Sequence, residues 1–256
     1  LYNTIHNTLI IGKKIIYLPS CHSTNDIAAE LVQSGIGQEG IVVITDYQTK
    51  GRGQRGTEWH SDTGLNLMFS VILKPGIVPI EQQFLISQSV ALAIHDTVQF
   101  HTESARIKWP NDIYAAGRKL SGTLIENSIQ GTTISHSIVG IGININQLSF
   151  DTSKATSLAA ILGHTASLTE EFERMIRNLD IRYQQLLTVE KHNLIRDEYL
   201  SNLHGYQSPV PLNYFGEKKN GIVTGIADNG QILVKLDGIP DVQQFGLKEI
   251  EWVWGS

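Results

Sequence analysis

A single cysteine, Cys21, stands among 256 residues, which excludes an intramolecular disulfide and any zinc site built from several thiolates. It fits a reducing compartment, and with no sign of thiolate activation it reads as an inert thiol. No apolar run approaches the ~20 residues of a membrane span, and no basic segment leads into an apolar one at the start. The sequence therefore predicts a cytoplasmic chain with no membrane partner. Basic residues are not in excess either. Net charge is -5 and the pI is near 6.0, whereas a dedicated nucleic-acid binder needs a basic face for its phosphate contacts, so no nucleic-acid partner is expected. Internal repeats, low-complexity tracts and the charge density typical of disorder are also missing.

What remains is an ordinary soluble composition, 41% hydrophobic and 18% charged, with enough length for one large domain and a small appendage. Residues 9–18 read as a strand, followed by a helix opening at Ser23-Thr24 and stopped by Gly35. Residues 40–48 are a β-branched strand, and a long polar loop then leads into a strand at 65–73. Residues 80–99 have helical periodicity, and the segments 106–114, 119–129 and 135–146 read as strands separated by turns. Strands that follow one another directly predict an α+β fold with a mixed sheet. Ser167 and Glu170 have capping-box spacing ahead of a long amphipathic helix carrying Phe172, Ile176, Leu179, Tyr183 and Leu186. Past Tyr206 the texture changes to short β-rich pieces with Asn-Gly and Asp-Gly turns, the mark of a small hairpin barrel. This divides the chain into 1–207 and 208–256. The stretch before the first strand has no room for a helix-turn-helix.

Two segments carry candidate chemistry. Gly51-Arg52-Gly53-Gln54-Arg55-Gly56 matches G-x-G-x-x-G literally, but no helix opens at these glycines, and the polar loop runs straight into the next strand. A dinucleotide fold is thereby refused. The glycines can instead expose backbone N–H groups, while Arg52 and Arg55 offer forked donors to a carboxylate or phosphate. In Lys108-Trp109-Pro110-Asn111-Asp112, Pro110 favours a turn that sets an amide and a carboxylate on one corner, at which Lys119 can point. Taken alone, this segment fits a plain β-hairpin equally well.

The order of these motifs resembles that of the biotin protein ligases. That family has a G-R-G-R-x-G loop, a K-W-P-N-D segment followed by a lysine and a glycine, an S-T-N motif at the first helix and a late G-x-G-[IV]-N strand. Here they are Gly51–Gly56, Lys108–Asp112 with Lys119 and Gly122, Ser23-Thr24-Asn25, and Gly140-Ile141-Gly142-Ile143-Asn144. Four matches in order are specific where one is not. The resemblance covers the chain up to about residue 205 and implies a monofunctional enzyme with a biotin/lipoate-ligase catalytic domain and an SH3-like C-terminal barrel. Ser23, Thr24, Asn25 and Gln48 would meet biotin's ureido group, which needs both donors and acceptors. Gly51, Arg52, Gly53, Gln54, Lys119, Gly122 and Gly142 would complete the biotin site. Arg52, Arg55, Trp59, Asn111, Asp112, Lys119 and Asn144 would face ATP, with Trp59 stacked on adenine. Ser23 or Thr24 has a competing role as a helix cap, and Trp59 as a packing anchor.

The implied reaction joins the biotin carboxylate to the α-phosphorus of ATP, releases pyrophosphate, and passes biotin from the adenylate to a lysine of a biotin carboxyl carrier protein. Lys119, Arg52 and Asp112 are the expected catalytic residues, Mg²⁺ accompanies ATP, and Asp112 either places the metal or receives the lysine's proton. The enzyme would be a monomer or a homodimer. One rival is a lipoate or octanoate ligase of the same fold, whose R-R-x-[ST]-G-G-G motif is not found here. Another is a ligand-responsive biotin-binding repressor. The one departure from the family pattern is Gln54, where an arginine is usual. Its amide lacks the charge-assisted, bidentate bonding of a guanidinium, a difference of ~1–2 kcal/mol at a partly desolvated site. Without acceptor, the chain is expected to release biotinyl-adenylate faster than its Gln54→Arg variant. Labelling of a concentrated bystander protein measures this, and equal labelling by the two forms defeats the expectation.

Overall fold

The computed structural model describes residues 2, 5 and 7–253, with Arg55 described in its backbone only. Its larger sheet has seven strands: β1 (Ile15–Leu18), β2 (Val42–Thr45), β3 (Leu67–Leu73), β4 (Arg106–Lys108), β5 (Asp112–Ala115), β6 (Arg118–Gln130) and β7 (Thr133–Ile143). Their spatial order is β1-β2-β3-β7-β6-β5-β4. β1 and β2 run parallel and every other neighbouring pair antiparallel, so the sheet is mixed and the fold is α+β, as the sequence predicts.

The helices explain why β3 reads as an apolar run broken only by Ser70, because both of its faces are covered and every position is buried. Helix α1 (Thr24–Gln33) packs on one face, where Ala28 meets Val43, Ile72 and Ile138. The opposite face, including Phe69 and Val71, packs under α2 (Phe84–Gln99) and, after the short α3 (Leu158–Leu162), under α4 (Leu168–Leu186). Phe172 of α4 meets Phe69 edge-on, with ring centroids 5.5 Å apart. Ser167 caps α4 as its spacing predicts, accepting from the Glu170 N–H. Helix α5 (His192–Ser201) closes this layer, and Arg182 of α4 ties it together by bonding Asp96 of α2 and Glu198 of α5.

A second, five-stranded antiparallel sheet follows. It comprises β8 (Pro209–Tyr214), β9 (Glu217–Ile226), β10 (Ile232–Leu236), β11 (Gln243–Phe245) and β12 (Ile250–Trp252), ordered β11-β10-β9-β8-β12. This is consistent with a small SH3-like unit. Gly230 and Gly238 sit at positive φ in the Asn-Gly and Asp-Gly turns, where a side chain would be strained. The two sheets share one buried cluster, in which Ile107, Trp109 and Leu203 join Val210, Val223 and Trp252.

Three features depart from the sequence reading: helices α3 and α5 lie where no helix is expected, residues 106–114 form the antiparallel pair β4–β5 around Pro110 rather than one strand, and the first strand is shorter than residues 9–18. The amides of Leu9, Ile10 and Ile11 turn toward the buried carboxylate of Asp180 in α4, each at 2.8 Å, and Gln184 donates to the same group at 2.6 Å. Four donors on one carboxylate leave no vacancy that an amide NH₂ can fill. Asp180→Asn is therefore expected to cost about 2 kcal/mol or more, read as a lower urea midpoint with unchanged slope. An unchanged midpoint would show that the N-terminal segment is held by its apolar contacts alone.

Candidate active site

The site lies on the α1 face of the large sheet. Ser23 is extended (φ -159) and precedes the first helical residue, yet its side chain makes no capping bond. Gln48 takes that place: its Oε1 accepts from the Thr24 N–H at 2.8 Å and from the Thr24 hydroxyl at 3.2 Å. The Ser70 hydroxyl, on β3, lies 2.7 Å from Thr24 Oγ1 and 2.6 Å from Asn25 Oδ1. Asn25 in turn donates to Glu126 Oε2 at 2.7 Å. Thr24, Asn25 and Ser70 are almost wholly buried, so the entry to α1 is a rigid polar wall.

Beneath this wall the sheet has lost its side chains. Gly122 of β6 pairs with Gly142 of β7, and Gly140 pairs with Leu124 and Ser70. A Cβ on Gly140 would come within 2.2 Å of Asn25 Oδ1, and one on Gly142 within 2.5 Å of Trp59. The Trp59 indole lies over this glycine floor with its Nε1 buried and unpartnered among the described residues. Lys119 Nζ stands 5.9 Å from the indole centroid and 2.9 Å from Asp112 Oδ1. Asn111 is fixed by its amide, which donates to the Thr123 carbonyl at 3.0 Å.

These groups enclose a cavity of about 580 Å³, a size that suits a small-molecule ligand. It brings together Ser23, Thr24, Asn25, Gln48, Arg52, Gly53, Gln54, Trp59, Asn111, Asp112, Lys119, Gly122 and Gly142 of the expected site. Gly51 and Asn144 border a second space of about 1150 Å³ instead, which shares Arg52, Trp59 and Lys119 with the first. Asn144 also bonds the Thr156 carbonyl at 3.0 Å. The Arg55 side chain lies outside the described part of the structure. Arg52 forks onto both oxygens of Glu126 at 3.0 and 2.9 Å and reaches Asp26 at 2.6 Å. The Glu126 hydrogen bonds, with Asp26 beside them, raise its pKa against the opposing effect of burial.

Sequence reasoning missed several contributors. Glu126 and Asp26 meet Arg52 only through folding, across 74 and 26 residues, and no local pattern marks them. Lys108, already part of the 108–112 segment though given no role of its own, lines the cavity as well, and burial pushes its ammonium below the ordinary value against the pull of Asp112. Lys248, Glu251 and Trp252 of the C-terminal sheet complete the rim. Among the described residues no three His, Cys, Asp or Glu side chains gather as a metal cluster.

The Biotin/lipoate A/B protein ligase family matches residues 17–144. The bifunctional ligase/repressor BirA of Bacillus spizizenii is 32% identical over 253 residues, 95% of this chain and 74% of that protein. The biotin--[acetyl-CoA-carboxylase] ligase of Paracoccus denitrificans is 28% identical over 224 residues, 83% of this chain and 91% of that one. In fold, the chain is similar to the biotin protein ligase from Aquifex aeolicus in complex with biotin and ATP, with a TM-score of 0.75, 24% identity, and coverage of 95% of this chain and 100% of that one.

The close contact of Trp59 with the glycine floor is directly testable. Gly142→Ala must displace the indole, and because Trp59 sits on a loop this should cost no more than about 1 kcal/mol of stability. Acrylamide quenching of the emission component lost in Trp59→Phe is expected to rise in Gly142→Ala. Unchanged quenching would mean that the sheet moves and the indole stays.

Proposed function

Because the chain belongs to the biotin/lipoate A/B protein ligase family, we propose that it is a biotin protein ligase, forming biotinyl-5'-AMP from biotin and ATP and transferring biotin to a lysine of a biotin carboxyl carrier protein domain. One observation carries this reading above its rivals. A neutral polar wall and a cationic corner face each other in one cavity, with an indole over a side-chain-free floor between them. Ser23, Thr24, Asn25 and Gln48 supply the mixed donors and acceptors that a ureido ring needs, and a linear lipoyl or octanoyl chain has no use for them. Gly51, Gly53, Gln54, Gly122 and Gly142 would flank that ring and its tail.

The chemistry then falls to the shared boundary of the two spaces. A biotin carboxylate oxygen attacks the α-phosphorus, the bond to the bridging oxygen breaks, and pyrophosphate departs. Arg52 and Lys119 meet the charge that grows on the phosphoryl oxygens, and Trp59, Asn111, Asn144 and Arg55 would hold the nucleotide. In the second step the acceptor amine attacks the mixed anhydride, AMP leaves, and a proton is lost to a base. Asp112, which lines the first space beside Lys119, is the expected catalytic carboxylate. It is suited either to receive that proton or to help hold Mg²⁺, which would neutralise charge on the leaving group; a hard cation that keeps its waters and substrate oxygens needs no acidic cluster. Residues 1–207 would form the catalytic unit and 208–256 its SH3-like partner. No helix among the described residues is long and apolar enough to cross a membrane.

Exchange of labelled pyrophosphate into ATP tests the proposal. It is expected with biotin and Mg²⁺ and not with lipoate or octanoate. Exchange supported equally by lipoate would transfer the assignment to the lipoate-ligase rival.

A further inference from the structure

The corner at 108–112 is held from three sides, and only one of them is the sheet to which it belongs. Within that sheet, Asn111 exchanges bonds with Thr123: its Nδ2 donates to the Thr123 carbonyl at 3.0 Å, and the Thr123 hydroxyl donates back to the Asn111 carbonyl at 3.4 Å. From the helical layer, the hydroxyl of Tyr199 in α5 donates to the Pro110 carbonyl at 2.7 Å. From the C-terminal sheet, the Gly230 carbonyl accepts from Trp109 Nε1 at 2.9 Å. The last two bonds are coupled. Phe84 packs edge-on against Tyr199, with centroids 5.8 Å apart, and a Cβ on Gly230 would meet Phe84 at 2.7 Å. Gly230 thus sits at φ +84 in its turn, close enough to α2 for its carbonyl to reach Trp109.

Tyr199 is fully buried and Trp109 is only 6% exposed, so each donor would lose its partner without water at hand if the corner moved. The polar wall at Thr24, Asn25 and Gln48 shares none of these bonds. The corner and the wall face the same cavity and meet through β6, where the Leu124 carbonyl accepts from Asn25 Nδ2 at 3.3 Å beside the Thr123 that holds Asn111, but loss of the Trp109 or Tyr199 bond leaves every bond of the wall in place.

We propose that Trp109 and Tyr199 are positioning residues for adenylate formation, pinning the corner so that Asp112 and Lys119 meet the nucleotide, and that the C-terminal sheet thereby takes part in the first half-reaction. This rests on the ligase reading above. Tyr199 lies outside the lining of the cavity and Trp109 forms part of its wall; they act through the backbone of Pro110 and the indole-to-Gly230 bond. Because misplacing a catalytic group by about an ångström is costly in rate, removing either donor should slow chemistry far more than it weakens biotin binding.

Trp109→Phe and Tyr199→Phe each remove one donor and keep the ring. Each is expected to lower kcat of biotin-dependent pyrophosphate exchange about tenfold and to raise KM for ATP, with the biotin Kd within about twofold of the parent. Val234→Ala is the control, since Val234 is buried in β10 and shares no bond with the corner: it should lower Tm and leave the kinetic constants alone below the transition. Amide hydrogen exchange at Asn111 and Asp112 should quicken selectively in the two corner variants and not in Val234→Ala. Lowered Tm with parental kinetics and parental exchange at 111 and 112 overturns the proposal, as does a loss of biotin affinity equal to the loss of rate. Should the parent chain support no biotin-dependent exchange, the ligase reading fails, while the amide measurement still decides whether the two residues pin the corner.

Discussion

The cavity exists because three positions on one face of β6 and β7 have no Cβ, and the close approach they permit organises everything above them. Gly140 admits Asn25, whose amide then spans from Ser70 to Glu126, and Gly122 and Gly142 admit the Trp59 indole. Any side chain at these positions would push the start of α1 or the 51–59 loop away from the sheet. The glycines weaken strands locally, since each loses more entropy on folding than an alanine would. Burial of β3 and β7 between α1 and the α2–α4 layer offsets this, so the most deeply packed part of the sheet is also the part that can bear a hollow.

Charge is arranged in the same hollow with an evident tension. An anion-binding loop should present a free guanidinium, yet Arg52 is held by two carboxylates. The magnitudes resolve this. Arg52, Asp26 and Glu126 are each between 35% and 42% exposed, and exposed pairs contribute at most about 1 kcal/mol each, so the arrangement is exchangeable. A phosphate entering a partly desolvated cavity can compete on such terms. Until then the carboxylates keep the arginine folded toward the sheet near where it would be needed. The Lys119–Asp112 pair is less exposed, at 34% and 19%, and sits on the rigid corner, so it forms a more fixed element of the field.

How much of this could be read beforehand depends on the distance over which each interaction acts. The α4 cap at Ser167 and Glu170 was legible because its partners are three residues apart, and β3 because two-sided burial writes itself as an apolar run that only Ser70 interrupts. The glycine pattern at 140–142 could be seen as a motif, but its purpose requires the register that sets it against Asn25 and Trp59. The apolar residues 9–11 resembled a strand only because nothing nearby announces Asp180, about 170 residues away, as their acceptor. Helix α5 escaped for a similar reason, since its buried positions Ile195 and Tyr199 are too few to show a period. The site residues divide along the same line: those within motifs were found, and Glu126, Asp26 and the rim at 248–252 were not.

The same division bears on what kind of object the C-terminal sheet is. Its change of texture after Tyr206 marks a separate unit by composition, and its hydrogen bonding is its own. Its packing is not. Val210, Val223 and Trp252 belong to the cluster that also holds Ile107 and Trp109, and burial pushes His204, at the junction, down to about 4, with Arg106 and Lys108 close by adding to the shift. A unit fastened this way has little freedom to swing as a rigid body, because parting the sheets would expose a continuous apolar seam and break the Trp109 bond at once. Its residues at the cavity rim are therefore part of the wall rather than a lid over it. Motion needed for ligand entry falls instead to the 51–59 segment, which is anchored by exchangeable ion pairs and by one indole resting on glycine.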